Sequence, residues 1–251
     1  MRDDLGTEVV LPAPPRRVVS LVPSLTEAVA VSAPDLLAGA TDYCTHPSGL
    51  DVLRVGGTKY PSVERVLATE PDLVLANAEE NRREDVEALR AAGTPVWVTY
   101  PQTLDAALDS LDRMLARLGL AAAPPWLAAA RAAWATPWYG PRRRAVVPVW
   151  RRPWIVLGAN TFAGDLLHRL GIDNLYDDAG NRYPRPPLPD ILARRPELVV
   201  LPDEPYAFHA DDGPEAFDGL PCALVSGRHL TWYGPSLAEA RTLLTEQLSS
   251  R

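Results

Sequence analysis

Cys44 and His46 stand two residues apart in the stretch GATDYCTHPSG, residues 39–49, of a 251-residue chain that holds two cysteines and four histidines. A thiolate beside an imidazole is a nucleophile with its base. Cys44 and His46 are therefore the candidate catalytic pair, with His209 or His229 as alternative bases. A low-pKa thiol needs a cationic neighbour or a helix N-terminus, and no nucleophile motif surrounds Cys44. The chain has neither a phosphate-binding P-loop nor a G-x-S-x-G elbow. A second chemistry is metal binding, since imidazole with carboxylate suits zinc or iron. His46, Glu80, Asp203, His209 and His229 are the donors, though no two have a local spacing such as H-x-x-x-H. A third reading makes the loop the rim of a site that only binds.

The totals exclude several classes. Net charge is −7, with the basic residues scattered, which argues against a nucleic-acid surface. Lys59 is the lone lysine among 25 basic residues. No run approaches the ~20 apolar residues of a membrane span, so membrane insertion is not expected. The start, MRDDLGTEVVLPAPP, is acidic and polar where a signal peptide is basic and then apolar. As written it predicts a cytoplasmic protein; the alternative is an extracytoplasmic one whose signal has been removed. Cys44 and Cys222 give no disulfide framework. A monomer is expected.

What positions these residues is an α/β pattern. RVVSLV (17–22) is a buried strand. PSLTEAVAV follows, and its S-x-x-E box predicts a helix with Ser24 as N-cap. Helices are predicted at 61–71, 79–93 and 103–119, and strands at 72–77 and 95–100. Leu104, Leu108, Leu111, Leu115 and Leu118 share one face of the third helix. Residues 121–143 hold a short Ala-rich helix, roughly 124–135, between proline clusters. Then come RAVVPVW (strand), TFAGDLLHRLG (helix), LPDILARRPELVVLPDE (helix, strand), CALVS (strand) and PSLAEARTLLTEQL (helix).

VLATEPDLVLAN (66–77) returns as ILARRPELVVLPD (191–203), an offset of 125 residues. The echo predicts two similar lobes: residues 1–120, a bridging segment 121–143, and residues 144–251. The fold class is α/β, each lobe a short, mainly parallel sheet flanked by helices, joined by one bridging helix. Ligands of open α/β sheets bind outside the carboxyl ends of the strands, which here predicts a cleft between the lobes.

The chain resembles the helical-backbone substrate-binding proteins of ABC importers, which carry vitamin B12, ferric siderophores, haem and related chelates. The matching segments are DDLGTEVVLPAPPRRVVSLVPSLTEAVAV, VGGTKYPSVERVLATEPDLVLANAEE, LGANTFAGDLLHRLGIDNLY, ILARRPELVVLPDE and LVSGRHLTWYGP. The Asp-Tyr…Pro of the opening loop and the Val-Gly-Gly after it place it nearest the cobalamin branch. The resemblance implies an extracytoplasmic carrier that delivers cargo to a membrane permease.

At the strand ends the chain is aromatic. Tyr43, Tyr100, Trp150, Trp154, Tyr206, Phe208, Trp232 and Tyr233 all fall there, and rigid rings suit a bulky organic ligand. Arg151, Arg152 and Arg228 lie among them. The candidate ligand contacts are Ser24, Tyr43, His46, Glu80, Tyr100, Trp150, Arg151, Arg152, Trp154, Asp203, Tyr206, His209, His229 and Trp232. The function read from all this is non-catalytic binding of a bulky organic molecule or metal chelate, a corrinoid before a ferric siderophore. The alternatives are a repurposed cytoplasmic scaffold acting as an enzyme in small-molecule biosynthesis, or direct binding of a metal ion. No cofactor is required; a bound corrinoid or chelate would be the ligand. The partners are that ligand and, if the chain is exported, an ABC permease.

Overall fold

The computed structural model describes residues 1–249. They form two compact units. The first comprises Met1–Pro101, Ala106–Ala128 and Tyr233–Pro235; the second holds the remaining described residues.

Unit 1 contains β1 (Val18–Ser20), α1 (Pro23–Ser32), β2 (Leu37–Ala40), β3 (Leu53–Arg54), α2 (Val63–Ala68), β4 (Leu73–Asn77), α3 (Arg83–Ala91) and β5 (Val96–Thr99). Most of α4 (Leu104–Arg117) also belongs to it, and the unit division falls within α5 (Pro125–Trp134). The sheet order is β3-β2-β1-β4-β5, parallel throughout. β1 and β4 are buried along their whole length, which is why their sequences are continuous apolar runs. Their core includes Val19, Leu21, Val74, Ala76 and Leu89; each valine or leucine there contributes about 1.5–3 kcal/mol by leaving water. The leucine stripe of α4 is buried as its spacing predicts.

Two starts differ from expectation. Ser24 does not cap α1: Val22 is the extended N-cap and Pro23 the first helical residue. Proline is preorganised for that position, so the helix begins two residues before the S-x-x-E box would start it. α3 begins at Arg83 rather than 79, because Asn77 and Asn81 hold the preceding residues in a turn.

Unit 2 contains β6 (Arg143–Val146), β7 (Pro148–Trp150), β8 (Ile155–Val156), α6 (Phe162–Arg169), β9 (Ile172–Asn174), α7 (Leu188–Ala193), β10 (Leu198–Pro202), β11 (Cys222–Val225), α8 (Gly227–Thr231) and α9 (Leu237–Ser249). Its main sheet runs β11-β10-β6-β9, again parallel. RAVVPVW is not one strand. It leaves the parallel sheet after Val146, and Pro148–Trp150 pairs antiparallel with β8 in a hairpin. Pro148 has no N–H for a central ladder.

The echo is structural. α2 and β4 recur as α7 and β10 at the same 125-residue offset. Glu70 and Arg195, each just before the joint's proline, both take positive φ, 49° and 53°. Asp72 accepts hydrogen bonds from the Arg16 and Arg17 amides at 2.7 and 2.9 Å; Glu197 accepts one from the Arg144 amide at 2.8 Å. In both units an acidic side chain thus ties the joint to the neighbouring strand. The chain is α/β, with a parallel, helix-flanked sheet in each unit.

Candidate functional site

In each sheet the chain steps outward in opposite directions from two central strands: β1 and β4 in unit 1, β6 and β10 in unit 2. The carboxyl ends of such a pair are where open α/β sheets bind ligands.

In unit 1 this position is closed by hydrogen bonds. Asn77 Nδ2 donates to the Tyr233 hydroxyl at 2.7 Å. The Tyr233 and Thr99 hydroxyls lie 2.8 Å apart, and Thr99 donates to Ala76 O at 3.1 Å. Burial, and then the charge of Glu80, push the Tyr233 phenol far above its usual pKa, so it stays a neutral donor. Asn81 Oδ1 accepts from the Asn77 amide at 2.8 Å, and Asn81 Nδ2 donates to Leu21 O and Thr58 O at 3.2 and 2.9 Å. Asn77 Oδ1 takes the amides of Glu79 and Glu80 at 2.7 and 3.1 Å, presenting Glu80, half-buried, at the strand end. Lys59 Nζ donates to Glu79 O at 3.0 Å.

The opening loop resolves its own ambiguity. Cys44 is fully buried. Its Sγ lies 3.0 Å from Thr26 Oγ1 and 3.1 Å from Thr41 Oγ1. Burial raises its pKa, the opposite of what a nucleophile needs. His46 is half-buried, with Nδ1 3.1 Å from Thr45 Oγ1, and forms no pair with Cys44. Tyr43 is exposed at 67%, free to meet a ligand. Tyr100 is half-buried, its amide donating to Asp4 Oδ2 at 2.8 Å. Ser24 is 2% exposed inside α1.

In unit 2 the corresponding position is aromatic and ionic. Trp150, 42% exposed at the end of β7, stands edge-on to Tyr206 at 5.6 Å. Trp154 stacks on Phe208 at 6.2 Å and meets Phe217 edge-on at 5.3 Å. The Arg151 guanidinium lies over the Trp154 ring at 5.4 Å and is ion-paired to both Asp212 and Glu215. The Tyr206 hydroxyl donates to Asp212 Oδ2 at 2.6 Å. Arg152 is exposed and makes no ion pair among the described residues. His209 is exposed beside them, its Nδ1 accepting the Asp211 amide at 3.3 Å.

At the end of β10, Asp203 Oδ1 accepts the Gly227 amide at 2.6 Å. Gly227 fits because a Cβ there would sit 2.8 Å from both Glu204 N and Glu204 O. Glu204 is half-buried; desolvation and then Asp203 raise its pKa. His229 and Trp232 are each 9% exposed, His229 within α8 and Trp232 at its C-cap. The His229 ring lies 2.8 Å from Ser226 Oγ and 3.0 Å from Glu239 Oε1, so both nitrogens are committed. Among the described residues no three His, Cys, Asp or Glu side chains gather as a metal site requires.

A surface cavity of about 450 Å³ opens elsewhere in unit 2, lined by Arg144, Asp173, Asn174 and Arg194 among others. It flanks the edge strand β9 and contains no aromatic ring, so it does not match the strand-end site. The sequence reading missed Asp212 and Glu215, which lie about sixty residues from Arg151 and carry no local signal. It also missed Asn77 and Asn81, whose spacing directly after a strand could have revealed the turn.

No family model matches the chain. In fold it is similar to the periplasmic vitamin B12 binding protein of Vibrio cholerae (TM-score 0.76, 20% identity, 94% of this chain and 98% of that one). It is also similar to the periplasmic haem-binding protein of Roseiflexus sp. RS-1 (TM-score 0.74, 21% identity, 93% and 97%). The chain shares the fold of these two solved proteins. In sequence the chain is similar to the vitamin B12-binding protein of Vibrio cholerae, 24% identical over 206 residues, 78% of this chain and 74% of that protein. The resemblance drawn from the sequence motifs, to binding proteins for vitamin B12 and related chelates, agrees with these likenesses.

Proposed function

We propose that the chain binds a bulky corrinoid or related metal chelate without transforming it, through the strand-end surfaces of its units, and delivers it to the permease of an ABC importer. The observation that carries this reading is the aromatic surface of unit 2. Trp150 is exposed and stands edge-on to half-buried Tyr206, Tyr206 and half-buried Trp154 pack against Phe208, and Trp154 also meets Phe217. Such a surface offers large contact area at low entropic cost. The inert environment of Cys44 and the enclosed ring of His229 support binding over catalysis. The names of the relatives support a corrinoid.

The cytoplasmic reading of the first residues finds no support among these relatives, whose solved structures are named periplasmic; an extracytoplasmic location goes with the proposal. No helix among the described residues is long and apolar enough to cross a membrane. Titrating cyanocobalamin while following tryptophan fluorescence tests the reading. Saturable quenching that is lost in Trp150→Ala is expected; folded protein that gives no response overturns it.

A further inference from the structure

The loops after β7 and β11 carry three arginines, Arg151, Arg152 and Arg228. A chelate edged with carboxylates would be gripped by free guanidinium groups. Two of the three are already engaged. Arg151 is paired with both Asp212 and Glu215. Arg228 lies over Trp232 at 5.9 Å, with Nη1 3.8 Å from Glu239 Oε1. Only Arg152 forms no ion pair among the described residues, and it is exposed beside Trp150.

We infer that unit 2 admits ligands presenting at most one ionised group and disfavours chelates presenting two or more ionised acids, because Arg151 is committed to two of the unit's own carboxylates and Arg228 lies over Trp232 with Glu239 nearby. This rests on the binding function proposed above and narrows its ligand class. A ligand carboxylate reaching Arg151 competes with Asp212 and Glu215 for its guanidinium N–H groups. One charge-assisted pair then replaces another, with no net gain. An approaching polyanion also meets Asp203, Glu204, Asp211, Asp212 and Glu215, and like charges brought together weaken binding.

The pairing persists wherever a chelate would be carried. The Tyr206 hydrogen bond, with Arg151, holds the Asp212 carboxyl below its usual range. The Gly213 amide, with Arg151, does the same for Glu215. A corrinoid fits this surface: its rim is amides, which accept and donate without charge, and its single phosphodiester matches one free arginine. Haem, with two propionates, does not.

Calorimetric titration of cyanocobalamin and of haemin into the wild-type protein, Glu215→Gln and Asp212→Asn/Glu215→Gln tests this. Glu215 is exposed, so the single variant should fold even if the double one does not; circular dichroism checks both. The wild type should prefer cyanocobalamin by about tenfold or more. That preference should fall about threefold in the single variant and about tenfold in the double one as Arg151 is released. Equal wild-type affinities, or a preference unmoved in the folded variants, overturn the inference. A wild-type protein that binds neither molecule overturns the proposed function and this inference with it.

Discussion

Counting 125 residues on from any position between Val63 and Asn77 lands in unit 2 on the same kind of backbone: a six-residue helix, a positive-φ residue, a proline, an acid and a five-residue buried strand. The likeness stops at the last strand residue. Unit 1 ends on Asn77 and turns at once into an enclosed hydrogen-bond network with Asn81, Thr99 and Tyr233. Unit 2 ends on Pro202 and opens into acidic residues, paired arginine and exposed rings. The same scaffold therefore supports two tasks. One strand end holds structure together; the other offers surface.

That contrast says which measurement each substitution should move. The largest effect belongs to Asn81→Ala. It removes hydrogen bonds to the Asn77 amide and to Leu21 O, both buried, and to Thr58 O. Buried groups left unpaired cost about 1–3 kcal/mol each, so a loss of about 3 kcal/mol in urea unfolding is expected. Tyr233→Phe should follow at about 1 kcal/mol, since it removes a buried hydroxyl from Asn77 Nδ2 and Thr99 Oγ1, which keep each other and Ala76 O as partners. A strand end whose disruption left stability untouched would break the comparison from this side.

From the other side, Trp150→Ala should weaken cyanocobalamin binding about tenfold or more while shifting stability by less than about 0.5 kcal/mol, as a surface substitution does. Equal damage to stability would mean that unit 2's rings are also structural. Acid should act on unit 2 in a defined direction. The folded pKa of Asp212 lies below its ordinary 3.8, so its contribution is complete above that value and lost only as pH falls below it. Tryptophan emission should be flat through neutral pH and change below about 4, with the change diminished in Asp212→Asn. The smallest effects test the likeness itself: Glu70→Gly and Arg195→Gly relieve the same backbone conformation and should each raise stability by up to about 1 kcal/mol, with the same sign in both units.

The scaffold was legible because its causes are local. A strand buried on both faces must be a continuous apolar run, and a helix that stops before proline leaves a recognisable joint, so Val66–Asn77 and Ile191–Asp203 announced themselves. Ser24 misled because the capping box is also local, and the proline one residue earlier overrode it. The chemistry at the strand ends was only half legible. Trp150, Arg151 and Tyr206 were found as residue types at a strand end. What fixes their roles, the carboxylates of Asp212 and Glu215, comes from a distant loop, and no spacing rule links them. His229 was read as a ligand because nothing in its neighbours shows that Ser226 and Glu239 enclose it.

Lys59 offers a practical handle. It is exposed, it is the chain's lone lysine, and it sits beside the strand-end turn of unit 1 with its amine on the Glu79 carbonyl. An amine-reactive fluorophore would therefore attach at one side chain besides the N-terminus, without any engineered cysteine. Such a conjugate would report changes at the strand-end turn of unit 1 in a colour separate from tryptophan emission.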